Sequence, residues 1–173
     1  MRQLAALILV LLAFSIAACG GDDDDDEAGG GAAATTEQSS GASKEDFIEQ
    51  ADEICREAND EFGEINERLD AISGGSASEQ LAQAEPILRE GAEQVEQRIG
   101  EFRALTPPPA DEDMIDRYLD AAEDQRTYLE QMADAAGAED VQEFQQTNDR
   151  LQEIAAERQG IVEGYGFEVC GSE

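Results

Sequence analysis

The sequence predicts an all-α domain, an antiparallel up-down-up-down four-helix bundle, and three observations point to it. Apolar residues recur at alternating steps of three and four along four stretches of about 25–29 residues each, the stripe of an amphipathic helix. The interruptions between stripes are short and built of Gly, Ser, Thr and Pro, so successive helices are predicted to run antiparallel. Finally, the region holds just two cysteines, Cys55 about three turns into the first helix and Cys170 just past the fourth. An antiparallel bundle brings those two places to one end.

The first stripe runs Phe47, Ala51, Ile54, Ala58, Phe62, Ile65, Leu69, Ile72, with Ser43 at the N-cap and Asp46 three residues on, close to a capping box. "SGGSAS" follows as a loop. The second stripe is Leu81, Ala84, Leu88, Ala92, Val95, Ile99, Phe102, Leu105. Pro86 lies inside it, so this helix either kinks there or starts there. "TPPPA" ends it, because a residue before proline disfavours the helical region. The third is Ile115, Tyr118, Leu119, Ala122, Leu129, Met132, Ala136, closed by Gly137 as its C′ glycine. The fourth is Val141, Phe144, Leu151, Ile154, Ala155, Ile161, Val162, Tyr165, with Asp140 and Glu143 at capping-box spacing. A three-helix bundle with a broken second helix is the alternative. Phe167 and Val169 alternate with Glu168, which predicts a short extended tail laid on the bundle.

Two stripes have polar gaps, at Gln125 in the third and at Thr147 or Asn148 in the fourth. Drift of the 3.6-residue period turns such positions to solvent. Facing one another, they form a buried hydrogen-bonded layer or line a small cavity. Every other core position in the four stripes is apolar or small.

Ahead of the helical region, which spans residues 44–173, lie two further segments. Residues 1–18 combine one Arg, an apolar run from Leu4 to Phe14 and small residues at the exit, which reads as a secretory signal peptide. The run is too short for a comfortable bilayer span of about 20 residues. Ile16-Ala17-Ala18-Cys19 resembles a lipobox, the signature of bacterial lipoproteins. That resemblance implies that Cys19 carries a diacylglycerol, that the preceding peptide is removed and that acyl chains such as palmitate anchor the chain to a membrane. Residues 19–43 form an acidic Gly-rich segment, "GGDDDDDEAGGGAAATTEQSSGAS" after Cys19, with no large apolar residue to bury, and are expected to be a disordered tether. Its aspartates lack the D-x-[DN]-x-[DN]-G spacing of a calcium loop.

With Cys19 assigned to the lipid, Cys55 and Cys170 remain as an even pair in an exported, oxidising setting and are expected to form a disulfide. They lack C-x-x-C spacing, and the chain has no His to make a thiolate.

The formal net charge is −31, from 42 Asp and Glu against 11 Lys and Arg. Such a surface repels phosphate backbones, so no nucleic-acid partner is expected; a cationic protein, peptide or ion is. With no His there is no Ser-His-Asp or Cys-His machinery, and no haem motif or phosphate loop occurs, so neither enzyme activity nor a cofactor is expected. Two acid pairs are weak divalent-ion candidates: Glu61 with Glu64, and Asp120 with Asp124. In a chain this rich in acids such spacings arise by chance, and a solvated acidic helix face is the favoured reading of both.

The lipobox, the acidic Gly-rich segment, "FIEQADEICREAN", "TPPP" and "YGFEVCG" together resemble small helical lipoproteins of high-GC actinobacteria. The resemblance implies an extracytoplasmic protein, lipid-anchored to the cell membrane, with a non-enzymatic binding or structural role at the envelope. A low-affinity calcium-binding protein is the alternative.

Overall fold

The computed structural model describes residues 43–170; the predicted signal peptide, Cys19 and nearly all of the predicted tether lie outside the described residues. Four helices follow in order: α1 (Lys44–Asp70), α2 (Ala77–Ala104), α3 (Glu112–Gly137) and α4 (Val141–Tyr165). They hold 27, 28, 26 and 25 residues, each about 40 Å long at 1.5 Å per residue.

Side-chain caps set three of the four starts. Ser43 Oγ accepts from Asp46 N–H at 3.1 Å, and Asp140 Oδ1 accepts from Gln142 and Glu143 N–H at 3.1 and 3.0 Å. Ser76 and Glu79 form a full capping box, and the two Ser76 donors hold the Glu79 carboxyl below its ordinary pKa. That box starts α2 nine residues before Pro86, so neither a start nor a break occurs at the proline. Pro86 and Ala82, whose carbonyl the missing N–H would have satisfied, are both exposed, and water can take over the acceptor. Between α1 and α2 the chain reverses at Gly74 and Gly75, both left-handed at φ +78° and +77°, a conformation only glycine enters without strain.

The end of α3 corrects the expectation for Gly137. That glycine is the last helical residue, and the left-handed position after it is Glu139, at φ +56°. The backbone there makes both bonds of a Schellman turn, Asp140 N–H to Ala135 at 2.9 Å and Glu139 N–H to Ala136 at 3.0 Å. A left-handed non-glycine residue costs about 1–2 kcal/mol, so Glu139→Gly is expected to stabilise the fold by about 1 kcal/mol. Thermal melting should show a rise of a few degrees; a lower midpoint would contradict the assignment.

Helix α1 packs on α2, α2 on α3 over the broadest interface, and α3 on α4, with α2 also touching α4 across the diagonal. The core has two parts. At one end, Phe47, Ala51 and Cys55 of α1 meet Phe102 of α2, Ile115 and Tyr118 of α3, and Ile161, Val162 and Tyr165 of α4. At the other, α2 and α3 supply the buried layer, including Val95, Ile99, Met132 and Ala136.

The tail after α4 closes the first end. Gly166 turns the chain at φ +98°, and the backbone bends at Glu168 and Val169 instead of running extended. Phe167 then enters a cluster of rings, with centroids 4.8 Å from Tyr165 and 5.8 Å from Tyr118. Cys170 is disulfide-bonded to Cys55, their Cα atoms 4.9 Å apart, and both are fully buried. Beside them the buried Asp52 carboxylate accepts three backbone N–H groups, from Glu168, Val169 and Cys170, at 3.0, 2.9 and 3.2 Å. Three donors on one carboxylate compensate its desolvation. The disulfide and Asp52 together fasten the tail to α1.

Candidate functional site

Between the two apolar parts of the core lies a polar layer built around two arginines. Arg98 of α2 is 2% exposed and Arg158 of α4 is 6% exposed. Each lies on its helix's apolar stripe. Arg98 follows Val95 by three and adjoins Ile99, and Arg158 fills the seven-residue step from Ile154 to Ile161. Their guanidinium groups converge on α3, where Gln125 Oε1 accepts from Arg98 Nη2 at 3.3 Å and from Arg158 Nη1. An amide oxygen has two lone pairs, so these two bonds saturate it. Phe62 of α1 stands beneath Arg98, its ring centroid 5.5 Å from the guanidinium carbon, close enough for a cation–π contact. Thr147 and Asn148 of α4 are also buried. All four helices therefore supply a buried or half-buried residue to the middle of the bundle.

The polar gaps do not turn to solvent: Gln125 is half-buried and Thr147 and Asn148 are buried, but the hydrogen bonds of Gln125 go to Arg98 and Arg158, two residues the gaps did not point to. The expectation that core positions are otherwise apolar or small does not hold. Asp52, Arg98 and Arg158 are buried as well, while Ala155, expected on the fourth stripe, is exposed. A guanidinium remains protonated at any physiological pH, so this layer offers fixed donors and positive charge, not a proton to transfer. Asp52 is a buried acid, but its oxygens are occupied by the tail.

Beside the Arg98 end of the layer, a shallow pocket of about 20 Å³, room for a single water, opens between α1 and α2. Glu57, Ala58, Glu61, Gln94, Gln97, Arg98 and Glu101 line it. Most remaining arginines sit in surface ion pairs, some of which cross helix seams: Arg68 with Glu90 at 2.6 Å joins α1 to α2, and Arg89 with Asp134 at 2.9 Å joins α2 to α3. Exposed pairs of this kind contribute about 0–1 kcal/mol each. Tyr165 donates to Asp111 at 3.0 Å, and burial, reinforced by that carboxylate acceptor, holds its hydroxyl protonated well above the ordinary tyrosine range.

The sequence-derived candidates fall as follows. Cys55 and Cys170 are joined to each other. Glu61 and Glu64 are exposed on α1, and Asp120 and Asp124 are exposed on α3. Among the described residues, no three His, Cys, Asp or Glu side chains converge to hold a metal ion, and no helix is long and apolar enough to cross a membrane. Cys19 lies outside the described residues. No protein-family model, curated protein or solved structure matches the chain.

Proposed function

We propose that the chain is an extracytoplasmic lipoprotein, anchored through Cys19, whose helical domain is a non-enzymatic binding module for a cationic partner at the cell envelope. The observation that carries this reading is the Cys55–Cys170 disulfide. It belongs to an oxidising compartment, and it consumes both cysteines of the domain. Cys19 is left unmatched at the end of a signal-like segment. The acidic surface supports the second half of the reading. Residues 44–173 carry 35 acids and 10 bases, a net charge of −25, and two of those bases are the arginines buried in the polar layer. Basic surfaces are drawn to such a field and anionic ones are repelled by it.

The anchor is tested by mass spectrometry of the protein from a lipoprotein-processing bacterium. The expected product lacks residues 1–18, begins at Cys19 and carries a diacylglycerol on the Cys19 sulfur, and Cys19→Ala abolishes the lipid. An unmodified Cys19 or a retained 1–18 segment would overturn the reading.

A further inference from the structure

Asp52 and Cys55 stand three residues apart on the inner face of α1, and both are buried. From that face they hold the same short tail in two ways. Cys55 takes Cys170 by its sulfur. Asp52 takes the tail by its backbone, Oδ2 accepting from Glu168 N–H and Oδ1 from Val169 and Cys170 N–H. The three donors are consecutive, and the last belongs to the cysteine itself. One residue upstream of them the anchor is apolar. The Phe167 ring lies among rings from all four helices, with centroids 4.8 Å from Tyr165, 5.8 Å from Tyr118, 6.3 Å from Phe47 and 6.4 Å from Phe102. None of these contacts needs the sulfur atoms to be joined.

The surroundings of the sulfurs also suit two thiols. Cys170 Sγ lies 3.4 Å from the Ala51 carbonyl oxygen, and Cys55 Sγ lies 3.8 Å from Tyr118 Oη. Each oxygen is within reach of the S–H that a reduced cysteine would carry, so a buried dithiol finds acceptors here. We propose that Asp52 is a positioning residue for disulfide formation: it docks the tail on α1 while both cysteines are still thiols, and the disulfide then locks a contact already made. Forming the bond removes two electrons and two protons from the thiols. A disulfide-bearing oxidant accepts them and leaves as two thiols. The first is released when one cysteine is captured as a mixed disulfide, and the second when the other cysteine attacks that sulfur. A docked tail holds the two sulfurs together at an effective concentration above the millimolar level of a flexible chain.

The test uses the full chain in mild detergent with Cys19→Ala, which leaves Cys55 and Cys170 as its only thiols. After reduction with a phosphine, hydrogen exchange followed by nuclear magnetic resonance reads the tail directly. The amides of residues 168–170 should exchange about tenfold or more slowly relative to an unstructured peptide. Asp52→Asn keeps the side-chain shape but sets an amide N–H2 in place of one acceptor oxygen. It should free those three amides while α2 and α3 keep their protection. Loss of protection at residues 168–170 in the reduced parent, alone or with the whole domain, would overturn the proposal, and so would its survival in reduced Asp52→Asn. The second measurement starts from the oxidised protein, whose fold the disulfide secures. Titration with reduced and oxidised glutathione gives the effective concentration of the two thiols. Asp52→Asn should lower it about tenfold or more. Val95→Ala, a fully buried change in the other part of the core, should leave it within about twofold. An unchanged value for Asp52→Asn, or an equal fall for Val95→Ala, would show that Asp52 does not position the cysteine.

Discussion

Gln125→Leu is expected to destabilise the domain by about 3–5 kcal/mol. Gln125 Oε1 is the acceptor shared by Arg98 and Arg158, and hydrogen bonds to charged donors contribute about 1.5–3 kcal/mol each. Leucine offers both buried guanidiniums an apolar surface in place of that oxygen, so the desolvation of two charges loses part of its compensation. Against a total stability of about 5–15 kcal/mol for a domain of this size, the loss is large enough to read from a urea transition whose slope is unchanged. Gln125→Glu should behave differently. A carboxylate between two guanidiniums has its pKa lowered in the fold. Its stabilisation is therefore present above the ordinary carboxylate range, about pH 4–5, and is lost as pH falls through the depressed value. The glutamate variant should match or exceed the parent at pH 7 and weaken more steeply in acid. A leucine variant within 1 kcal/mol of the parent would show that Gln125 does not carry the layer.

The second large effect is at the clasp. Cys55 and Cys170 are 115 residues apart in sequence, and in the chain-entropy model closing a loop of that length contributes about 4–5 kcal/mol. Cys55→Ala/Cys170→Ala should lose about that much in denaturant unfolding. The loss should also be uneven. Helix α1 packs most extensively on α2, touches α3 and α4 mainly at the end that the tail closes, and is fastened there by the disulfide, so its amides should lose hydrogen-exchange protection before those of the broad α2–α3 pair. Equal loss across all four helices would show that α1 is not held chiefly by the clasp.

Much of the fold was legible because the signals are local. Helical periodicity and the caps at Ser43 and Asp140 lie in contiguous residues, and the disulfide followed from chain order once the helices were taken as antiparallel. What was not legible is tertiary. Reading arginine as a surface residue hid Arg98 and Arg158, although the step from Ile154 to Ile161 leaves a place on the stripe that only Arg158 fills. A long aliphatic stem lets an arginine occupy a core position and still reach a distant acceptor. Gln125 was visible as a gap, but its role depends on donors from two other helices. Asp52 was missed for a similar reason, since its three partners come from the far end of the chain. Composition points to Gly137 as the left-handed residue, whereas the turn geometry puts Glu139 there. Pro86 misled less by its chemistry than by its position, because a strong capping box upstream had already committed the chain to helix.

The clasp also bears on how the protein matures. Cys55 is made long before Cys170, and the domain holds no other cysteine in between. If acylation occupies the Cys19 sulfur, two thiols remain, and two thiols allow one pairing. Oxidative folding of this chain then needs an electron acceptor but no isomerase, and no mispaired intermediate within one chain can trap it.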